Sequence, residues 1–219
     1  MAVIEIESKS LEETCQLAAL LVPLLRRGDI LALDGELGAG KTHFTAGLAA
    51  AMGITEPVAS PTFTLMQAYA LPVSLASRLG EELYHFDAYR LENSEAFFKE
   101  AFDEYFDLGI CIIEWAELIA ELLPERSLYL RFDRVEASLD GEAEAADLGA
   151  ECLSELARRD FLASLEADLG STDCQSRRIR LSGPRERVDA VAEAWQRAGF
   201  RLLEGAGAGS SRAESEAEL

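Results

Sequence analysis

The segment that most constrains the fold is DILALDGELGAGKTHF, residues 29–44. Within it, residues 35–42 fit the pattern G-x-x-x-x-G-K-[ST], and the apolar residues 30–33 before them form a run of strand length. Glycines at this spacing let successive backbone amides point into one concavity, and a following helix directs the positive end of its dipole to the same place. The segment therefore predicts a strand, a phosphate-binding loop and a helix in that order.

The same pattern predicts what the loop binds. Lys41 is placed to reach the β- and γ-phosphates of a nucleoside triphosphate, and the Thr42 hydroxyl is placed to ligate Mg²⁺. A chance glycine-rich turn before an amphipathic helix is the alternative interpretation. It is disfavoured because strand, loop, Lys-Thr pair and helix all occur in the required order.

The rest of the chain alternates between strand and helix patterns. AVIEIE alternates like a strand, the capping box SLEE opens a helix predicted for residues 10–27, and a second helix is predicted for residues 41–52. SPTFTLMQAYAL is predicted to be a loop with Pro61 that leads into β-prone residues, and further strands are predicted in ELYHFDAYRL, GICIIEWAE, SLYLRF and RRIRLSG. Further helices are predicted over residues 94–106 and 184–199. This order predicts an α/β fold with a P-loop NTPase-like sheet flanked by helices.

Composition divides the chain into four parts. Residues 1–135 and 176–203 carry the strand and helix patterns, so they are predicted to form the P-loop core and its last strand and helix. Residues 136–175 look inserted, because eleven acidic residues stand against two basic ones between positions 136 and 173. We interpret this insertion as a solvated acidic appendage. Residues 204–219, rich in Gly, Ala, Ser and Glu without an apolar face, are predicted to form a disordered tail.

Charge and apolar patterning limit the partners and the location. The 40 acidic and 20 basic residues give a net charge of −20, so tight autonomous binding to nucleic acid is not expected. The basic stretch SRRIR is a candidate for a local basic patch, and a solvated strand edge explains it equally well. No secretory signal is seen, and the best apolar run, LAALLVPLL, is too short to span a bilayer. The four cysteines form no C-x-x-C pair. We predict a cytoplasmic protein with reduced cysteines and no membrane contact.

Two acids at predicted strand ends are candidates for chemistry beside the loop. Glu114 follows four apolar residues, and an acid at such a position in P-loop proteins ligates Mg²⁺ directly or through water. Asp87 in HFDAYR ends another strand pattern, where a carboxylate could orient or deprotonate an attacking water. Ordinary strand ends or turn caps would give the same patterns. Thr62 and Thr64 lie in a loop suited to sense a γ-phosphate, whereas His85 is interpreted as a packed strand residue.

Four segments together resemble one known family. GELGAGKTHF, SPTFTL, YHFDAYRL and IEWAE, in this order and at these separations, are similar to the TsaE family, formerly YjeE, of bacterial tRNA threonylcarbamoyladenosine biosynthesis proteins. The resemblance covers residues 8–132 and resumes at 177–182. It implies a small ATPase that binds ATP and Mg²⁺ and works with the TsaB and TsaD subunits, which modify adenosine 37 of ANN-decoding tRNAs. It also implies that weak ATP hydrolysis, stimulated by the partners, resets the complex, and that tRNA is contacted only through that complex.

The resemblance also implies a role for individual residues. The nucleotide-binding residues that it implies are Ser10, Gly38, Ala39, Gly40, Lys41, Thr42, His43, Thr62 and Arg177. Thr42 and Glu114 are the implied metal ligands. Asp87 and Glu114 are the implied catalytic residues, and Trp115 is the implied aromatic beside the site. Helix capping explains Ser10 equally well, and surface charge explains Arg177 equally well. The acidic insertion and the polar tail depart from the family, so any partner contact on the C-terminal surface stays open.

Two other classes of protein use such a loop. A small-molecule P-loop kinase would carry an acceptor pocket and an arginine-rich lid, and no such lid is seen after Glu114. A purely structural nucleotide-binding module would not need both Asp87 and Glu114. ATP turnover measured with and without TsaB and TsaD separates these alternatives.

Overall fold

The strands form one mixed sheet. The computed structural model describes residues 1–91, 93–135 and 176–203. Within these ranges seven strands pair in the order β1-β7-β6-β2-β5-β4-β3. Their bounds are β1 (Ala2–Ser8), β2 (Ile30–Gly35), β3 (Met66–Ala70), β4 (Glu82–Asp87), β5 (Ile110–Glu114), β6 (Leu128–Arg134) and β7 (Arg177–Gly183). The central strands β6, β2, β5 and β4 run parallel, and the outer pairings are antiparallel.

Helices flank this sheet. In the same ranges the α-helices are α1 (Leu11–Ala19), α2 (Lys41–Ala51), α3 (Val73–Leu79), α4 (Ser94–Lys99) and α5 (Arg185–Arg197). Three 3₁₀ segments lie at Val22–Leu24, Phe102–Asp107 and Ala116–Leu122. The predicted α/β sheet flanked by helices is therefore confirmed. Among the helices of these described ranges, none has the length and apolar character needed to cross a membrane.

Strand β2 is held at the centre by burial on both faces of the sheet. Leu31 and Leu33 belong to an apolar cluster that includes side chains of α1, α2 and α5. Ile30 and Ala32 belong to a second cluster, formed with α4 and the 3₁₀ segments that follow it in the chain. Successive side chains of a strand point to opposite faces, and a parallel strand covered on both faces is apolar throughout. This explains the continuous apolar run before the phosphate-binding loop.

The C-terminal part of the described chain returns to the same sheet. β7 pairs with both β1 and β6, and the Leu203 amide donates to the Glu5 carbonyl oxygen at 2.8 Å. Residues 136–175 and 204–219, which carry the predicted insertion and tail, lie outside the described residues. The division of the chain into four parts stays a prediction.

Two predicted helices are wrong in extent. The helix predicted for residues 10–27 ends at Ala19, and the chain continues into a 3₁₀ turn that contains Pro23. Proline lacks an amide hydrogen and disfavours the α conformation at the residue before it, which prevents a continuous helix. The helix predicted for residues 94–106 is broken after α4, because Ala101 has a φ of 54°. Helix α3 and the segment Ala116–Leu122 were not predicted.

Candidate nucleotide-binding site

Three strand ends bring the candidate residues together. β2 leads into residues 35–42, called the P-loop from here on, while β5 ends at Glu114 and β4 ends at Asp87. In the register of the sheet, Leu33 pairs with Glu114, and Glu114 pairs with Asp87. The carboxyl ends of parallel strands open at the same edge of a sheet, where ligands of α/β proteins bind. The predicted proximity of the loop and the two acids is therefore observed.

The P-loop leads directly into helix α2. Gly38 and Gly40 have φ values of 75° and 109°, which a residue with a Cβ rarely adopts, and Gly40 is the N-cap of α2. The first amides of an α-helix have no partner within the helix, and its N-terminus carries a partial positive charge. The start of α2 therefore offers amide donors and a dipole end suited to phosphate oxygens.

A cavity of about 360 Å³ lies between the P-loop and the two acids. The predicted residues that line it are Gly38, Gly40, Lys41, Thr42, His43, Thr62, Asp87, Glu114 and Trp115, and the further lining residues are Leu37, Ser60 and Tyr89. Residues from four separate segments of the sequence therefore line one cavity in the fold.

Lys41 is held against the P-loop. Only 4% of the residue is exposed, and its Nζ donates to the carbonyl oxygens of Gly35 at 2.6 Å and Glu36 at 3.0 Å. The same Nζ lies 3.9 Å from the ring centroid of Trp115. Burial lowers the pKa of Lys41, while the carboxylate of Glu114 opposes this shift. The ammonium group is therefore poorly solvated, and it is suited to bind phosphate oxygens in place of the two carbonyl oxygens.

Glu114 is fixed from two sides. The Thr42 hydroxyl lies 2.9 Å from Oε1 and 3.0 Å from Oε2 of Glu114, whose side chain is almost fully buried. On the other side, Nε2 of the fully buried His85 lies 2.9 Å from the same Oε1. The carboxylate is consequently oriented by a hydroxyl and by an imidazole nitrogen.

The pair of Thr42 and Glu114 fits a magnesium ion. A hydroxyl and a carboxylate that face each other are hard oxygen donors, the kind that Mg²⁺ prefers. No cluster of three or more His, Cys, Asp or Glu side chains suited to a metal occurs within residues 1–91, 93–135 and 176–203. Few protein ligands are needed where substrate phosphates and water complete the coordination, as is usual for Mg²⁺.

Asp87 is tied to the loop that precedes β3. Its Oδ2 accepts hydrogen bonds from the hydroxyls of Ser60 and Thr62, the latter at 2.6 Å, and its Oδ1 accepts one from the Tyr89 amide at 2.9 Å. This places Thr62 in direct contact with the predicted catalytic acid. Thr64 is exposed, and its hydroxyl lies 3.5 Å from the Pro61 carbonyl oxygen, outside the cavity lining.

Three predicted nucleotide contacts lie outside the cavity lining. Ser10 caps α1, because its Oγ accepts from the Glu13 amide at 3.1 Å. Ala39 is fully buried, and its carbonyl oxygen accepts from Nε of Arg177 at 3.1 Å. Arg177 is only 1% exposed, so the interpretation of this residue as surface charge is wrong. Nucleotide contact by these three residues stays a prediction.

Sequence reasoning missed two side chains that contact the acids of the site, Ser60 at Asp87 and His85 at Glu114. Ser60 carries no motif of its own, although it opens the SPTFTL stretch that supplied Thr62. His85 was interpreted only as a packed residue, and the structure confirms its burial but adds the contact with Glu114. The available signal was its position two residues before Asp87, because such residues share one face of a strand.

Comparisons with known proteins agree with one another. The family model described as "Threonylcarbamoyl adenosine biosynthesis protein TsaE" matches residues 8–145, which include every residue of the cavity lining. The chain is 43% identical over 127 residues to the TsaE protein of Bacillus subtilis (strain 168), covering 56% of this chain and 73% of the relative. It is 42% identical over 119 residues to that of Treponema pallidum, covering 54% and 82%. The crystal structure of Bacillus subtilis YdiB is similar with a TM-score of 0.59 and 29% identity, over 91% of this chain and 98% of that one.

Proposed function

Since the chain belongs to the TsaE family of threonylcarbamoyladenosine biosynthesis proteins, we propose that it is the nucleotide-dependent component of this tRNA modification. In this proposal it binds ATP with Mg²⁺ and hydrolyses ATP slowly on its own. The observation that carries the proposal is the convergence of Lys41, Thr42, Glu114 and Asp87 on one cavity at the start of α2.

The triphosphate is bound by the P-loop. The amides at the start of α2 and the ammonium group of Lys41 donate to the phosphate oxygens, in place of the carbonyl contacts that Lys41 makes at Gly35 and Glu36. Thr42 and Glu114 hold the magnesium ion, which supplies charge neutralisation for the phosphates when it is bound. The 2.9 Å contact between the two side chains supports this assignment.

Hydrolysis depends on Asp87. A water molecule attacks the γ-phosphorus, the bond from that phosphorus to the β–γ bridging oxygen breaks, and ADP and phosphate leave. Asp87 orients this water or accepts its proton, because its carboxylate lies in the cavity lining with Glu114. Ser60 and Thr62 hold the carboxylate in place through hydrogen bonds to Oδ2. Among the described residues of the cavity lining, Lys41 is the one lysine or arginine, which fits the slow turnover proposed for the chain alone.

TsaB and TsaD are the partners in this proposal, and ATP hydrolysis resets their complex between rounds of modification. The chain contacts tRNA only through that complex. A net charge of −20 supports this division, because such a chain repels a phosphate backbone. A cytoplasmic location, which the sequence predicts, is consistent with a role in tRNA modification.

Calorimetric titration of the protein with ATP and Mg²⁺ tests the nucleotide part of the proposal. Lys41→Ala should abolish measurable binding, since it removes the charge that neutralises the β- and γ-phosphates. Lys99→Ala is the matched control, because Lys99 is an exposed residue of α4 that pairs with Glu95 at 3.2 Å. Equal ATP affinity of the two variants would contradict the assignment of the P-loop.

A further inference from the structure

Two arginines that lie outside the cavity lining contact the P-loop. Nη2 of Arg134, the last residue of β6, donates to the carbonyl oxygen of Leu37 at 3.0 Å. Nε of Arg177, the first residue of β7, donates to the carbonyl oxygen of Ala39 at 3.1 Å. The two arginines are paired across β6 and β7 in the register of the sheet. Neighbouring guanidinium groups therefore bind two alternate carbonyls of one loop.

These carbonyl contacts set the direction of two amides. A peptide unit is planar and trans, so its C=O and the N–H of the next residue point in opposite directions. A guanidinium that binds the Leu37 oxygen therefore directs the Gly38 N–H away from itself, and the bond to the Ala39 oxygen does the same for the Gly40 N–H. Both Gly38 and Gly40 line the cavity, whereas neither arginine does.

The glycines leave room for the arginines. A Cβ at Gly38 would clash with Nη2 of Arg134, and a Cβ at Gly40 would lie 2.8 Å from Nε of Arg177. Positive φ values already favour glycine at both positions. The space that the two guanidinium groups occupy is a second reason for glycine there. The loop and the two arginines are thus complementary in shape at Gly38 and Gly40.

We propose that Arg134 and Arg177 are positioning residues that turn the Gly38 and Gly40 amides toward the phosphates of the bound nucleotide. This inference rests on the proposed function, because it assumes that the cavity binds phosphates. The two residues act on the nucleotide through the peptide units of the P-loop. They lie on either side of residues 136–175 in the sequence, the segment predicted to be an acidic insertion.

Arg134→Ala tests the inference with the least risk to folding, because Arg134 is exposed. We expect ATP and ADP to bind about threefold to tenfold more weakly, since one charge-assisted hydrogen bond no longer orients the loop. In the nucleotide-free protein, hydrogen–deuterium exchange of a peptide that spans residues 35–42 should become faster, while exchange in the rest of β6 stays unchanged. This second readout reports the order of the loop without any ligand.

Arg131→Ala is the matched control. Arg131 belongs to the same strand, carries the same charge and lies on the opposite face, where it contacts Asp133 at 3.2 Å. Loss of charge alone would weaken ATP binding in both variants, whereas loss of positioning affects Arg134→Ala only. Arg177→Lys, which keeps the charge at the buried position, should likewise accelerate exchange in the P-loop, with folding checked by circular dichroism.

Equal ATP affinities and equal P-loop exchange rates in Arg134→Ala and Arg131→Ala would overturn the inference. A second outcome is that the wild-type protein binds no ATP while the P-loop of Arg134→Ala still exchanges faster than that of wild type. This result would support the positioning of the loop and refute the proposed nucleotide function. The two failures are therefore distinguishable in one set of samples.

Discussion

Replacement of Asp87 by asparagine separates hydrolysis from nucleotide binding. If this carboxylate orients or deprotonates the attacking water, it acts only when the γ-phosphoryl bond breaks, so kcat should fall by about 10²-fold or more, or about 2.7 kcal/mol in activation free energy. ATP affinity should stay the same or rise slightly, because a negative charge near the phosphates is removed.

The structure favours asparagine over alanine for this test. Asp87 accepts three hydrogen bonds, from Ser60, Thr62 and the Tyr89 amide, and alanine would leave all three donors without their acceptor. Asparagine keeps the shape and the Oδ1 acceptor, but its Nδ2 donates and cannot accept from the two hydroxyls. The oxygens of Ser60 and Thr62 lie 2.6 Å apart, so one hydroxyl can donate to the other and only one loses its acceptor. We expect a loss of about 1 kcal/mol in the free energy of unfolding, at the low end of the range for one unsatisfied group, because the cavity admits water.

Phosphate release under saturating ATP and calorimetric ATP titration are the two measurements. Asp34→Asn is the control, because Asp34 is the acid near the end of β2 at the same edge of the sheet, where it accepts from the Glu117 amide at 2.8 Å. A decrease in kcat of less than tenfold in Asp87→Asn, or the same decrease in both variants, would refute the assignment of Asp87.

Three further predictions concern the metal site and residues 136–175. Thr42→Ala should reduce Mg²⁺-dependent turnover far more than nucleotide binding, and a Mg²⁺ titration equal to that of wild type would contradict this. His85→Phe removes the nitrogen 2.9 Å from Glu114 Oε1 and should weaken Mg²⁺ binding about tenfold. His85→Gln, which keeps an N–H, should retain most of the Mg²⁺ affinity of wild type. Equal losses of Mg²⁺ affinity in the two variants would show that His85 only packs in the core. Replacement of residues 136–175 by Asn-Gly should keep ATP affinity within about tenfold, or about 1.4 kcal/mol, and a folded variant that no longer binds ATP would contradict this.

The Asn-Gly replacement follows from the pairing at the end of β6. The Val135 amide donates to the Ser176 carbonyl oxygen at 2.9 Å, directly beyond the paired Arg134 and Arg177. Such a pair can flank a two-residue hairpin turn, for which Asn-Gly is the preferred sequence. The replacement therefore tests the segment without disturbing the two arginines.

The parts of the fold that local patterns determine were predictable from the sequence. The P-loop motif, the continuous apolar run before it and the alternation in the outer strands each depend on residues close together in the chain. Glu114 and Asp87 were predictable as strand ends beside the loop, because the carboxyl ends of parallel strands share one edge. Their direct pairing in register is an outcome of the whole sheet.

The contacts that depend on side chains from distant segments were not predictable. His85 shares its strand with Asp87, yet its bond to Glu114 requires the relative position of β4 and β5. Arg177 looks like surface charge in the sequence, and only the pairing of β7 with β6 brings it under the P-loop. The early break after α4 depends on the left-handed conformation of Ala101, for which alanine gives no local signal.

Multiple-turnover threonylcarbamoylation of tRNA in a reconstituted mixture that contains TsaB and TsaD tests the proposed function as a whole. We expect that addition of this protein with ATP and Mg²⁺ supports repeated rounds of modification, that Lys99→Ala does so equally well, and that Lys41→Ala does not. Normal multiple turnover with Lys41→Ala, or with the protein left out, would refute the proposed function.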